Sequence, residues 1–311
     1  MPSFSDFYFA SNDGISKIHA LRCDPDGEVR GIVQIEHGIA DYIDRYRPFM
    51  EFLASNGFVA VGDDHLGHGK TASAPGSIGF FAERDGWKTV EYDMEKLRRI
   101  MSEQFPGLPY VLFGHSMGSF LTRTYIIDYP DNYDAVILCG TGHQNRAMIM
   151  GGYLAAAAAV KLEGARTLGY KLNDIAFGSY CKGFKNPRTP FDWINRDEAE
   201  VDAYIADPLC GFVATNSLFR DMMGGVKYIT DPKNIARINK DKPVYFMSGG
   251  ADPVGENGVG VNRAYKAFCN AGIRDVFMRI YPEARHEILN ELNKEDVFKD
   301  TLAWIESKLF N

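Results

Sequence analysis

One serine of the chain lies in a pattern that could make it a nucleophile. Residues 114–118 read GHSMG, directly after the apolar run 110–113. Where a strand turns sharply into a helix at such a pattern, the serine, here Ser116, is exposed at the carboxyl edge of a sheet. Gly114 and Gly118 permit the close strand–helix approach because they have no Cβ. The same five letters also fit an ordinary glycine-rich turn, so the sequence must also supply a base and an acid.

The histidines that follow the serine narrow the choice of base. A serine hydroxyl needs a neighbouring base, which an acid usually orients. In folds with this strand–turn–helix element the chain order is serine, acid, histidine. Only His143 and His286 follow Ser116. His143 would need an acid at position 128, 131 or 134, before the next strand has formed, whereas His286 follows the last apolar strand, so His286 is the predicted base.

Asp252 is the predicted acid. It comes after the apolar run 244–248 and the loop 249–251, at the carboxyl end of a predicted strand. Ser116, Asp252 and His286 therefore fall on three loops of one sheet edge, where open α/β sheets place their sites. These positions predict a catalytic triad.

Two backbone N–H groups are candidates for an oxyanion hole. Met117 follows the serine at a predicted helix N-terminus, where its N–H can stabilise developing negative charge. The second donor is expected in the loop after an early strand. His37 and Gly38 begin such a loop, which makes Ile39 the candidate. An ordinary strand-to-helix turn at the same place is the alternative.

The elements that must position these residues alternate along the chain. A hairpin with strands at 4–9 and 17–23 comes first, and short apolar runs then alternate with amphipathic segments. This alternation predicts an α/β fold with a mostly parallel central sheet and helices on both faces. Further strands are predicted at 31–36, 59–63, 110–113, 135–139, 244–248 and 276–281. Helices are predicted at 46–56, 91–105, 119–129, 261–271 and 297–309.

The alternation stops near Gly140 and resumes near residue 236. Between these points the sequence contains helix-like stretches and proline-containing loops, with no convincing strand–helix pair. The prediction is a core domain formed by residues 1–140 and 236–311, with a helical cap, residues 141–235, inserted after the sixth strand.

Five stretches together resemble the α/β-hydrolase branch of monoacylglycerol lipases and lysophospholipases, which is also grouped with the S33 serine aminopeptidases. The likeness covers nearly the whole chain, and the insertion falls where that family has its cap. The stretches are HGIADY at 37–42, DHLGHGKT at 64–71, GHSMGS at 114–119, GGADPV at 249–254 and ARHEIL at 284–289.

The resemblance implies the same roles: nucleophile, acid and base at Ser116, Asp252 and His286, with oxyanion donors at Ile39 and Met117. It also implies a monoacyl glycerol, a lysophospholipid or a smaller ester as substrate. Two departures matter. Residues 40–42 read ADY, where family members often have Gly-Glu-His, and the cap matches only weakly apart from DPL at 207–209.

Composition excludes several other classes of function. The net charge is −7 and no Lys/Arg run is present, which argues against nucleic acid as a partner. The five scattered cysteines fit reduced thiols, and the N-terminus lacks the features of a signal peptide. The longest apolar stretch, 147–160, is too short to span a bilayer. We therefore expect a cytoplasmic protein with no transmembrane segment and at most weak peripheral membrane contact through the cap.

Two other patterns could suggest a cofactor or a metal. DHLGHGKT nearly matches a phosphate-binding loop, but Asp64 stands where that loop has its first glycine and would repel a phosphate. Asp63, Asp64, His65 and His68 could be metal ligands, although the resembled family has a structural turn here. The prediction is no cofactor and no metal. His115 is interpreted as a packed residue of the turn rather than as a second base.

The sequence thus predicts a serine hydrolase of carboxylic esters. An aminopeptidase is the alternative, and it would need carboxylates of the cap to hold a substrate ammonium; the candidates are Glu163, Asp174, Asp192, Asp197, Glu198 and Glu200. Acyl transfer on the same triad and a non-catalytic ligand-binding protein are the remaining alternatives.

Overall fold

The computed structural model describes residues 1–74 and 76–310 of the 311-residue chain. Within them, the strands are β1 Ser3–Ala10, β2 Lys17–Asp24, β3 Gly31–Glu36, β4 Phe58–Asp63, β5 Tyr110–His115, β6 Ala135–Cys139, β7 Val244–Gly249 and β8 Val276–Tyr281. The α-helices are α1 Arg47–Ser55, α2 Gly86–Gln104, α3 Met117–Asp128, α4 Arg146–Glu163, α5 Tyr170–Phe177, α6 Glu198–Ala206, α7 Asn216–Ile229, α8 Pro232–Ile235, α9 Val259–Asn270 and α10 Lys294–Leu309. Short 3-10 helices lie at Ile43–Tyr46, Gly69–Ala72 and Tyr180–Gly183.

The strands form one sheet in the order β1-β2-β4-β3-β5-β6-β7-β8. The β1–β2 and β2–β4 pairs are antiparallel, and every other neighbouring pair is parallel. The predicted α/β class with a mostly parallel sheet is confirmed. The strand order reverses between β3 and β5, and such a switch point opens a crevice at the carboxyl ends of the strands.

Two apolar clusters cover the two faces of the sheet. Helices α1 and α10 pack on one face and α2, α3 and α9 on the other, where α7 joins the same apolar cluster. All residues of β3, β4, β5 and β6 are buried, which explains why their sequences are nearly continuous apolar runs.

Helix α2 begins at Gly86 rather than at the predicted 91. Asp85, a residue type that often precedes a helix, stands before it in a left-handed conformation, and its side chain makes no capping hydrogen bond.

Helices α4–α8 lie between β6 and β7, and no full strand interrupts this stretch of the described chain. Four of the five helices begin at a side chain that accepts a backbone N–H of the first turn, a contact that favours helix initiation; these residues are Asn145, Asp197, Thr215 and Asp231. Helix α7 packs against α2 and α3. The division into a core (1–140 and 236–311) and a cap (141–235) remains a prediction.

One buried arginine ties both ends of the insertion to α3. The Arg123 guanidinium is fully buried and donates to the carbonyl oxygens of Gly142, at 2.8 Å, and Ile229, at 3.2 Å. Gly142 follows β6 and Ile229 ends α7, so segments near both ends of the insertion are held against α3. Among the described residues no helix is both long and apolar enough to cross a bilayer.

Candidate active site

Ser116 lies at the turn between β5 and α3 in a strained backbone conformation. Its φ is 54° and its ψ is −122°, in a region that residues other than glycine seldom adopt. The strain is balanced by hydrogen bonds on both sides of the residue. Its N–H donates to the Cys139 carbonyl at 3.0 Å, and its own carbonyl accepts from Ser119 Oγ at 2.6 Å. The turn lifts the Ser116 hydroxyl into a cavity at the sheet edge.

The two glycines that flank the serine have no room for a side chain. A Cβ on Gly114 would lie 2.3 Å from Thr122 Oγ1, and a Cβ on Gly118 would lie 2.0 Å from the Glu36 carbonyl oxygen. Gly118 therefore brings the first turn of α3 directly against the end of β3. A Cβ on Gly38, in the loop that follows, would lie 3.2 Å from Ser116 Cβ, so this loop passes beside the serine.

The predicted oxyanion donors, Ile39 and Met117, belong to these two neighbouring segments. Met117 is the first residue of α3, and Ile39 lines the same cavity as Ser116. Within residues 1–74 and 76–310, neither N–H donates to a protein acceptor. Both are therefore available to a ligand.

His37 fixes the orientation of the loop that contains Ile39. Its Nε2 accepts the His65 N–H at 3.0 Å, so its proton is on Nδ1, which donates to the Gly38 carbonyl at 2.7 Å. Because C=O and N–H of a trans peptide point in opposite directions, this bond turns the Ile39 N–H away from His37. Burial, with the nearby His65 and His68, holds the pKa of His37 well below its ordinary value, which keeps the ring neutral.

His286 and Asp252 are hydrogen-bonded to each other. His286 Nδ1 lies 3.0 Å from Asp252 Oδ2, and Asp252 is fully buried. The Val254 N–H and Ser248 Oγ also donate to this carboxylate, at 2.9 and 3.3 Å. Burial, the largest single influence, lowers the pKa of His286, but Asp252, Glu287 and Asp41 together outweigh it, and the net shift is upward.

Ser116 and His286 line the same cavity. In the described chain no hydrogen bond joins Ser116 Oγ to the His286 ring. Contacts of this kind are often long without substrate and tighten in the complex. Ser116 and His286 thus share one cavity while Asp252 holds the other ring nitrogen, and their action as a triad stays a prediction.

The cavity has a volume of about 210 Å³ and a mostly apolar lining. Aromatic side chains of the insertion form much of its wall, among them Phe177, Trp193 and Phe212. Of the six carboxylates that an aminopeptidase could use, only Asp174 lines it. The others have partners elsewhere: Glu163 pairs with Lys171, Asp192 with Thr189 and Arg188, Asp197 caps α6, Glu198 pairs with Arg188 and Glu200 with Lys294.

A buried ionic cluster that the sequence did not reveal lies beside His286. The Arg45 guanidinium pairs with Glu287 and lies 3.3 Å from Asp41 Oδ1. Burial raises the pKa of Asp41 to about 6, although Arg45 opposes the shift. Asp41 is one of the residues that depart from the family pattern. The four-residue spacing of Asp41 and Arg45 was the only sign in the sequence that these two side chains pair.

Tyr42, in the same ADY departure as Asp41, contacts the DPL stretch of the insertion. Its hydroxyl donates to Asp207 Oδ2 at 2.7 Å. His115 is buried at the end of β5 and lines the cavity, with Nδ1 2.9 Å from the Tyr46 hydroxyl and its ring centroid 4.7 Å from that of His286. His115 therefore packs in the turn and against His286.

The segment that resembles a phosphate loop is filled by its own carboxylate. Asp64 accepts from the N–H groups of Ile43 and Lys70, at 2.9 and 2.8 Å, and lies 2.8 Å from His19 Nδ1. A Cβ on Gly69 would lie 2.3 Å from the Asp64 carboxyl carbon, so the turn wraps tightly around this group. Asp64 thus takes the position that an anion would need.

Two of the candidate metal ligands from the sequence, Asp63 and His65, lie close to a third buried acid, Glu36. Glu36, Asp63 and His65 offer ligand atoms within 4.8 Å of one another. The two ring nitrogens of His65, however, face different carboxylates: Nδ1 lies 3.5 Å from Asp63 and Nε2 lies 3.8 Å from Glu36. Burial would lower the pKa of His65, but Asp63 and Glu36 raise it overall. Burial beside Asp63 also raises the pKa of Glu36 to about 8, so the arrangement resembles a histidine held between two buried carboxyl groups more than ligands that converge on one ion.

Comparisons with known proteins agree with the fold. Residues 27–293 match the family described as serine aminopeptidase, S33. The monoacylglycerol lipase of Mycolicibacterium smegmatis is 27% identical over 98% of both chains, and the monoglyceride lipase of Saccharomyces cerevisiae is 27% identical over 90% of this chain and 85% of that protein. A thermostable carboxyl esterase from Bacillus coagulans, solved in complex with glycerol, superposes with a TM-score of 0.92, 28% identity and 99% coverage of both chains.

Replacing Gly118 by alanine tests the close approach of α3 to β3. We expect Gly118→Ala to lower the free energy of unfolding by about 3 kcal/mol, because the added methyl group overlaps a backbone carbonyl that cannot move freely. The measurement is urea unfolding. Gly151→Ala, in helix α4 with open space around it, is the matched control and should raise stability by up to about 1 kcal/mol. Equal effects of the two substitutions would contradict the packing argument.

Proposed function

The chain belongs to the serine aminopeptidase S33 family, and from this premise we propose that it is a serine hydrolase that cleaves carboxylic esters through an acyl-enzyme. One observation carries the proposal. Ser116, on a strained turn, opens into the same cavity as His286, whose Nδ1 lies 3.0 Å from Asp252.

Each group of the site has a distinct role in the proposed reaction. Ser116 Oγ attacks the ester carbonyl while His286 Nε2 takes its proton, and Asp252 keeps the other ring proton on Nδ1. The N–H groups of Ile39 and Met117 bind the tetrahedral oxyanion. His286 then protonates the leaving alcohol. A water molecule, activated by the same ring, releases the acid and restores the serine hydroxyl.

The proposed substrate is a monoacyl glycerol, a lysophospholipid or a smaller ester of similar shape. The apolar lining of the cavity supports an acyl chain as the buried part of the substrate. An aminopeptidase is less well supported, because Asp174 alone among the candidate carboxylates faces the cavity. Ester hydrolysis is therefore the preferred function.

We also propose at most weak peripheral contact of the insertion with a lipid surface. Apolar side chains of α4 and α5 are exposed, among them Leu154 at 59%, Leu162 at 81% and Ile175 at 71%. Co-sedimentation of most of the protein with neutral vesicles would contradict this weak contact. The cytoplasmic location expected from the sequence stays a prediction.

Covalent labelling of Ser116 tests the proposed function most directly. We expect a fluorophosphonate to add one group per chain, at Ser116, because an activated serine attacks phosphorus as it attacks a carbonyl. Mass spectrometry of the intact and digested protein measures the adduct. Ser116→Ala should remove both the adduct and ester turnover. A folded protein that is not labelled would indicate a non-catalytic binding function.

The pH dependence of turnover tests the role of His286. The ring must be neutral to accept a proton, and its pKa is raised, so kcat/KM should fall as the pH drops through a value above 6.5. Asp252→Asn removes the contact that raises this pKa, so its acid limb should move to lower pH. The plateau should fall by about 10³- to 10⁴-fold because the ring loses the required tautomer. Values of kcat/KM for p-nitrophenyl butyrate from pH 5 to 9 provide the test. An acid limb at the same pH in Asp252→Asn and the wild type would contradict the pairing of His286 with Asp252.

A series of esters from acetyl to oleoyl, on p-nitrophenol and on glycerol, tests the substrate class. We expect kcat/KM to rise about fourfold per added methylene until the cavity is filled, as burial of about 0.8 kcal/mol per methylene implies. Phe177→Ala should extend the rise to longer chains because Phe177 lines the cavity. Ile175→Ala, on the exposed side of the same helix, is the control. A maximum at acetyl would restrict the enzyme to small esters.

A further inference from the structure

One strip of the insertion contacts the loop that contains His286. We call residues 191–196 the brace; they lie between the 3-10 helix at 180–183 and α6. The Glu287 N–H donates to the Ile194 carbonyl at 2.8 Å, and the Arg285 guanidinium donates to the Asn195 carbonyl at 2.8 Å. The residues on both sides of His286 are thus hydrogen-bonded to the brace.

A buried carboxylate joins the two segments. The Glu291 side chain is fully buried and accepts four N–H groups. Oε1 accepts the backbone N–H of Arg285 at 2.9 Å and that of Arg196 at 3.1 Å. Oε2 accepts Arg196 Nε at 2.8 Å and the Leu292 N–H at 3.0 Å. Because one rigid carboxylate receives groups from both segments, neither can shift without breaking charge-assisted bonds.

Aromatic contacts hold the ring of His286 in place. The Trp193 ring centroid lies 5.1 Å from that of His286, and His115 lies 4.7 Å from it, while Asp252 holds Nδ1. Trp193 in turn lies parallel to Phe177, with an interplanar angle of 5°. The imidazole is therefore confined by the brace and by the end of β5.

We propose that the brace is part of the rigid structure that holds the catalytic residues, and not part of a moving lid. In this proposal Glu291 positions His286 because its carboxylate holds the brace and the histidine loop together. The inference rests on the proposed function, since it assigns a role only if His286 is the base. Its physical basis is that small misplacements of a catalytic group can cost about 10²-fold in rate. Glu291 does not line the cavity, so it acts through the loop and not on substrate.

The test compares two acids that contact the same arginine. Glu291→Gln keeps the side-chain shape but turns an amide toward N–H donors. We expect kcat and the rate constant of fluorophosphonate labelling to fall about 10- to 100-fold, while KM changes less than about threefold. Glu283→Gln is the matched control, because Glu283 lies 3.1 Å from Arg196 but is 85% exposed; its rates should stay within about twofold of wild type.

Arg196→Gln provides a second variant that leaves the Glu291 carboxylate in place. For Arg196→Gln, kcat and the labelling rate constant should fall less than for Glu291→Gln. The double variant should be no slower than Glu291→Gln alone, since both substitutions act through the contact between Arg196 and Glu291. Folded Glu291→Gln with wild-type labelling and turnover would overturn the inference. So would a rate loss explained entirely by a smaller folded fraction, measured by circular dichroism at the assay temperature.

Hydrogen exchange on the wild-type enzyme tests the inference without any variant. The Glu287 amide, which donates to Ile194, should be equally protected before and after fluorophosphonate labelling. Loss of protection on labelling would mean that the brace opens, and would overturn the inference. Absence of labelling in the wild type contradicts the proposed function itself, whereas equal labelling of wild type and Glu291→Gln contradicts only the role of Glu291.

Discussion

The arrangement of the site depends on one close backbone approach, that of Gly118 to the end of β3. A Cβ at this position would lie 2.0 Å from the Glu36 carbonyl oxygen, so no residue with a side chain fits without moving the strand or the helix. The approach places the N-terminus of α3 beside the loop that begins at His37. The two candidate oxyanion donors, Ile39 and Met117, come from these two segments, and Ser116 lies between them. The strand reversal between β3 and β5 makes this meeting of segments possible.

Much of the sheet could be predicted from the sequence, because the strands β3 to β7 are fully buried and read as nearly continuous apolar runs. The position of the serine, acid and histidine at strand ends followed from that pattern, and the structure places Asp252 and His286 within hydrogen-bonding distance. The start of α2 at Gly86 was not predicted; Asp85 before it is a residue type that often caps a helix, but here it is left-handed and its side chain makes no capping bond. A local sequence signal locates the start of a helix only where the side chain makes the capping contact that the signal stands for.

The rest of the site could not be predicted because it depends on side chains that meet only in three dimensions. The insertion has no sheet register to show which face of each helix points inward. Six acidic residues of the insertion were equivalent in the sequence, yet only Asp174 reaches the cavity. Arg45 pairs with Glu287 across 242 positions of the chain, and Glu291 contacts Arg196 across 95. No spacing rule links residues so far apart.

The insertion therefore contributes to the proposed chemistry as well as to the choice of substrate. Trp193 lines the cavity and also contacts the His286 ring, so a change made there to accept another acyl group also changes the surroundings of the proposed base. Removing the indole would admit water, and less burial would by itself raise the pKa of His286 further, because burial is the largest influence that lowers it. Phe177 lines the same cavity but packs on Trp193 rather than on the histidine ring in the described chain. Substrate range can thus vary at Phe177 with little effect on the base, whereas at Trp193 specificity and turnover must change together.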